Sequence, residues 1–214
     1  MNVTFLTHAN FASVEDGGPA FGGSTNVLHL VRGFRAKGHN VIVMTPLDTF
    51  TNRDGFVTLL KKVPKNIKII LEMTKKINEV SDVVIIKPGH TAFIYSILTR
   101  LKFWNRPKLV YCHEDSILDL WKAKSDKGAF ATGLGYVMEG NLKYLLEYTM
   151  AATADKIITT QKELKENMIM YYGTEPDKIE VIHYGIDLNL FKGEPPQFDL
   201  NKKKTINCVL LCSG

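Results

Sequence analysis

Six short apolar runs recur along the chain, and segments of helical period separate them. The runs are NVTFLT, NVIVMT, DVVIIK, KLVYCH, DKIITT and IEVIHY. Each is four to six residues of mostly β-branched or aromatic side chains without strict polar alternation, as in strands buried on both faces. Between them, STNVLHLVRGFRAKG places Val27, Leu30, Val31 and Phe34 at helical spacing and closes at Gly38. TAFIYSILTRL, residues 137–153 and KELKENMIMYY, closed by Gly173, read as further helices. Residues 67–71 are a candidate seventh strand. Alternating strands and helices predict a doubly wound α/β domain with a parallel, Rossmann-like sheet over residues 1–190. The composition then shifts to a Pro- and Lys-rich linker at 191–204, KGEPPQFDLNKKK lying mostly within it. One more apolar strand, TINCVLLCSG, follows at 205–214 and needs a sheet to join.

Composition narrows the function classes. The chain has 214 residues, 45% hydrophobic and 23% charged, with a formal charge of +5. That is ordinary globular composition with a basic bias, which suits a phosphate, an anionic lipid face or nucleic acid as well as plain solubility. No helix-turn-helix, zinc spacing or RNA-binding signature supports nucleic acid. Cys112, Cys208 and Cys212 form no disulfide framework. The last two lie four apart in a strand, roughly 13 Å between Cα atoms, beyond disulfide reach. The N-terminus MNVTFLTHAN lacks a basic leader, and no apolar stretch is long enough to span a bilayer. The expectation is a cytoplasmic protein with free thiols.

Residues 16–26, DGGPAFGGSTN, carry four glycines and precede the first helix. A glycine-rich turn there lets backbone approach a ligand, and the helix start offers unpaired N–H groups to an anion. A surface turn with Ser24 or Thr25 as helix cap explains the same residues. Gly18 to Gly23 has P-loop spacing, but Ser24 stands where a lysine is required, so an ATPase or GTPase is disfavoured. A dinucleotide fingerprint fails as well. The glycines lie too far from the strand, and no acidic residue closes the second strand, which ends at Thr45.

The stretch ADKIITTQKELKENMIMYYGTEPDKIEVIHYGIDLNLF resembles the retaining GT-B glycosyltransferases of the large family 4 group. The matching residues are Ala154-Asp155, Tyr172-Gly173, Pro176, Lys178-Ile179, Gly185-Ile186-Asp187 and Phe191. The double glycine opening a helix and the Gly-His-x-Val pattern at Gly38 to Val41 are similar too. The resemblance implies the N-terminal, acceptor-side domain of a two-domain enzyme. A nucleoside-diphosphate sugar would be held by the second domain, without a metal or other cofactor. It implies binding roles for Gly22, Gly23 and Gly185, and a catalytic role for His113 close to the transferred sugar. His90, after Pro88-Gly89 at a strand end, is a further cleft candidate, and His8 has the same standing. A loop histidine bonded to backbone is the plain alternative for each.

Two departures, Gln161 for a serine and His183-Tyr184 for Pro-Asn, fall at the cleft rim. The donor domain's acidic pair and its diphosphate-binding basic residue have no counterpart, and TINCVLLCSG resembles that domain's first strand. The expectation is a chain inactive alone, its donor domain cut off, lost or carried on a separate donor-domain chain. The alternative is a binding module that kept the fold. Self-association through the last strand is a further expectation. LLKKVPKNIKIILEMTKK and RLKFWNRPK combine lysines or arginines with apolar residues, which suits an anionic membrane surface or equally a solvated face with snorkelling lysines. The partners expected are thus a sugar or lipid-linked acceptor and peripheral membrane, with no nucleic acid.

Overall fold

The computed structural model describes residues 1–7, 22–45, 56–101, 106–116 and 134–183. Its strands are β1 (Asn2–Leu6), β2 (Asn40–Met44), β3 (Val83–Ile86), β4 (Lys108–His113), β5 (Lys156–Thr159) and β6 (Ile179–Val181). They form one parallel sheet in the order β2-β1-β3-β4-β5-β6. All six apolar runs are strands, and the α/β class and parallel sheet stand as expected. The expected seventh strand is not one. Residues 67–71 lie inside α2 (Phe56–Val80), which runs through Pro64. A short apolar run does not separate strand from helix by itself. Here the buried positions Ile70, Thr74 and Ile77 recur every three or four residues, so the helical period wins.

The remaining helices are α1 (Gly22–Ala36), α3 (His90–Leu101), α4 (Leu134–Thr153) and α5 (Lys162–Tyr172). Right-handed crossovers decide which face each one covers. The β1–α1–β2 unit runs one way across the sheet, and the later units run the other way. Accordingly α1 packs Val27, Leu28 and Val31 with Val3, Phe5, Val41, Ile85 and Cys112. Helices α2 to α5 supply Ile77, Tyr95, Leu146, Met150 and Met168 to the opposite face, against Leu6, Ile86, Leu109, Tyr111 and Ile157.

Helix ends follow the signals in the sequence. Gly173 closes α5 at φ 63°, its N–H bonded to Ile169 O, and Gly38 takes φ 78° after α1. Only glycine enters this left-handed region without a Cβ penalty. The described residues belong to a unit running from Met1 to His183. Gly185, the linker and the final strand lie outside the described residues, as do His8 and most of the glycine loop. No helix among the described residues is long and apolar enough to cross a membrane.

Asp155 and Lys178 of the late segment form a clamp at the amino edge of the sheet. Asp155 accepts hydrogen bonds from Leu109 N (2.8 Å) and from Arg106 Nη2 (2.6 Å) and Nη1 (3.2 Å). It thereby ties the start of β5 to the start of β4. Arg100 donates to Thr153 O, and Lys178 donates to Ala151 O and Ala152 O. Both cations satisfy carbonyls at the end of α4, where the helix dipole is negative. A depression of about 580 Å³ opens beside these groups. Its Arg100, Lys178 and Asp155 are occupied by the clamp, so Asp155 and Lys178 of the motif serve the architecture.

Candidate functional site

In an open α/β sheet, ligands bind at the carboxyl ends of the strands, at the point where strand order reverses. That point lies between β1 and β3, with β2 outside β1 and β4 beyond β3. The carboxyl ends bring together Thr7 after β1, Lys87 after β3, and His113 to Ser116 at and after β4. Thr160 and His183 follow β5 and β6, with His183 Nδ1 2.9 Å from Thr160 O.

Lys87 and Glu114 form an ion pair at 2.6 Å, with side chains only 9% and 12% exposed. Cys112 Sγ donates to the other Glu114 oxygen at 3.6 Å. Burial, then the Glu114 charge, pushes the Cys112 thiol up to about 12, so it stays protonated and inert. The neighbouring Asp115 carboxyl is also raised, by burial first and then by Glu114, against the pull of Lys87. The crevice therefore has a charged rim whose groups hold one another.

His113 ends β4 and is 1% exposed. Tyr111, two residues earlier on the same face, places its hydroxyl 3.0 Å from His113 Nδ1. Glu147 of α4 is fully buried, and its Oε1 lies 3.9 Å from the same nitrogen. Tyr172 of α5 donates a short hydrogen bond to Glu147 Oε2, and Ser116 Oγ donates to it at 3.5 Å. Burial lowers the His113 pKa to about 4, outweighing the nearby carboxylate, so the ring is neutral near pH 7. Its Nε2 is buried with no hydrogen-bond partner among the described residues, and so is Thr159 Oγ1. Thr159 faces His113 in the parallel register of β5 and β4. Two orphaned polar atoms on one face of adjacent strands are unusual, because buried polar groups are nearly always paired.

Among the sequence candidates, Gly22 and Gly23 are the first two residues of α1, and His90 is the first residue of α3. Both helices follow strands that end at the crevice. Gly185 lies outside the described residues. Tyr111, Glu147 and the Lys87–Glu114 pair escaped the sequence reading, and Tyr172 was named there only as part of the family motif. Glu147 carried a signal: a carboxylate next to Leu146 and three before Met150 sits on the buried stripe of an otherwise apolar helix. Tyr111 carried another, since the residue two before a strand-terminal histidine must share its face.

A profile described as Glycosyltransferase Family 4 matches residues 21–190, most of the chain. The chain belongs to glycosyltransferase family 4. The match covers the sheet from α1 onward, consistent with a Rossmann-like N-terminal domain of the GT-B type. No curated protein matches the chain. Within a glycosyltransferase domain, the carboxyl-edge crevice is the place to look for sugar chemistry, and His113 is its most unusual residue.

Proposed function

We propose that this domain is the acceptor-side half of a retaining glycosyltransferase. It transfers a sugar from a nucleoside-diphosphate sugar to a glycan or lipid-linked acceptor when a donor domain completes the cleft, and no metal is expected. The observation that carries the reading is His113: a neutral imidazole at the carboxyl end of β4, one strand from the switch point, with one nitrogen held and the other unpaired. Retaining transfer develops positive charge on the sugar and negative charge on the leaving phosphate. Fixed donors aimed at those charges lower the barrier. The start of α1, with Gly22 and Gly23 in its first turn, supports an anion site, because helix N-termini present free N–H groups and a positive dipole end. His90 and Gly185 are proposed to line the same cleft. The rival is a binding module that holds the acceptor without turnover.

The test is sugar transfer to lipid-linked and glycan acceptors by the chain with a family donor domain supplied, beside Gly23→Trp, which places an indole in the first turn of α1. Turnover that falls at least about tenfold in the variant supports the reading. Acceptor binding without any transfer favours the rival.

The acceptor class bears on a surface as well. The outer side of α2 exposes Lys68, Ile69, Leu71, Lys75 and Lys76 beside Glu72 and Glu79, the last 3.9 Å from Lys75, while Ile70 and Ile77 point to the core. Cations beside apolar side chains suit anionic headgroups, each lysine contributing about 1 kcal/mol near such a surface. Residues 102–105 of RLKFWNRPK, the other basic segment, fall outside the described residues. The chain is expected to co-sediment with phosphatidylserine vesicles at low salt and to release in high salt. Lys68→Glu with Lys75→Glu is expected to weaken binding at least about tenfold. Equal binding to neutral vesicles would count against this surface.

A further inference from the structure

The groups around His113 come from every element packed on it. Tyr111 lies on its own strand, Glu147 comes from α4, Tyr172 from α5 acts through Glu147, Ser116 follows β4, and Thr159 stands on β5. Two proton arrangements fit the 3.0 Å contact between Tyr111 and Nδ1. In the first, the phenol donates to Nδ1 and the ring carries its hydrogen on Nε2. In the second, Nδ1–H donates to the phenol oxygen, and the phenol hydrogen must find another acceptor. Among the described residues Tyr111 has no other hydrogen-bond partner. The second arrangement thus strands the phenol hydrogen and the Nε2 lone pair, whereas the first strands only Nε2–H. Buried donors without acceptors are costly, so the first arrangement is preferred. The phenol also keeps its proton: burial raises Tyr111 well above its ordinary value, and the Glu147 charge adds to that. Glu147 in turn is seated by the hydroxyls of Tyr172 and Ser116.

We propose that Tyr111 is a positioning residue that fixes His113 in the tautomer with hydrogen on Nε2, against the pull of the Glu147 carboxylate on Nδ1, so that His113 serves sugar transfer as a neutral hydrogen-bond donor and not as a base. The transfer role rests on the function proposed above; the tautomer does not. The orphaned Nε2–H then has a use. It is a fixed donor, and the acceptor proposed for it is an oxygen of the reacting ligand.

The experiment uses the full chain labelled with ¹⁵N-histidine. Long-range ¹H–¹⁵N correlation spectra are recorded from pH 5 to 9. The His113 signals are assigned among the six histidines by their loss in His113→Gln. The expected result is hydrogen on Nε2 throughout that range. Tyr111→Phe removes only the phenol oxygen and is expected to shift the population several-fold toward the other tautomer. Glu147→Gln removes the carboxylate charge 3.9 Å from Nδ1 and is expected to leave the hydrogen on Nε2. Hydrogen on Nδ1 in the native chain overturns the proposal, and so does a Tyr111→Phe spectrum with the native tautomer. Should Tyr111→Phe not fold, the native spectrum alone decides.

In the transfer assay with a donor domain, His113→Gln can offer an amide N–H where Nε2–H stood. It is expected to retain about tenfold more activity than His113→Ala. Equal loss in both variants removes the donor role while leaving the tautomer intact. Absence of transfer by the native protein condemns the proposed function and not the tautomer.

Discussion

With a donor domain supplied, His113→Ala is expected to lower turnover about 10²- to 10³-fold, the usual cost of deleting one preorganised donor. The substitution removes the buried, unpaired Nε2 and strands the Tyr111 hydroxyl, whose partner is Nδ1. Part of any loss could then come from stability, since an unsatisfied buried hydroxyl costs about 1–3 kcal/mol. Steady-state kinetics separates the two. A donor that acts in the transition state lowers kcat and kcat/KM together, while partial unfolding lowers the active fraction and shows in a melting curve. A variant that is fully folded and fully active would remove His113 from the mechanism and, with it, the observation on which the functional reading stands.

The second large effect is on stability. Asp155→Ala breaks the clamp between the starts of β4 and β5, leaving Leu109 N and the Arg106 guanidinium without their acceptor. The ion pair is about one-quarter exposed, so solvent screens part of it. The expected loss is about 2–4 kcal/mol, from hydrogen bonds to a charged group. In a domain of this size that lowers the melting temperature by about 5–10 °C.

The clamp also shapes the acid limb. Burial alone would raise the Asp155 carboxyl. The hydrogen bonds from Leu109 and Arg106, with the charges of Arg106 and Arg100, outweigh it and hold the group below its usual range. A depressed carboxyl contributes stability above its unfolded pKa and loses that contribution as pH falls through the folded value. His113 acts at higher pH. Its folded pKa of about 4 lies below the unfolded 6.5, so the unfolded chain takes up the proton first. Stability should therefore fall between about pH 6.5 and 4 through His113, and below that through Asp155. Denaturant unfolding at pH 7 and pH 5 checks the order: the difference should shrink in His113→Gln and persist in Asp155→Ala. The reverse pattern would place the titrating group elsewhere.

The two residues differ in how legible they were. Asp155 belongs to a stretch whose order of residue types was enough to suggest the family, yet nothing in that order says that the carboxylate is a fastener. Its partners Leu109 and Arg106 are more than 45 positions away, and only the parallel pairing of β4 with β5 brings them to it. His113 was singled out by the family resemblance, which places a histidine after a central strand. Its neutrality was not visible, because that follows from burial under α4 and α5.

The sequence by itself determined the elements and their order. Strand runs, helical periods and the stops at Gly38 and Gly173 are local, and backbone geometry ties each to side chains within a turn or two. Right-handed crossovers then limit how such elements can join a parallel sheet. Residues 67–71 went the other way, because five apolar-rich positions are too few to show a period, and the long face of α2 decided. Tertiary structure alone set the surroundings of His113. Tyr111, Glu147 and Tyr172 meet there from a strand and two helices, 61 positions apart at the extremes. No local pattern encodes that meeting, since the charge and hydrogen-bond state of a buried group depends on which distant groups the packing brings into contact with it.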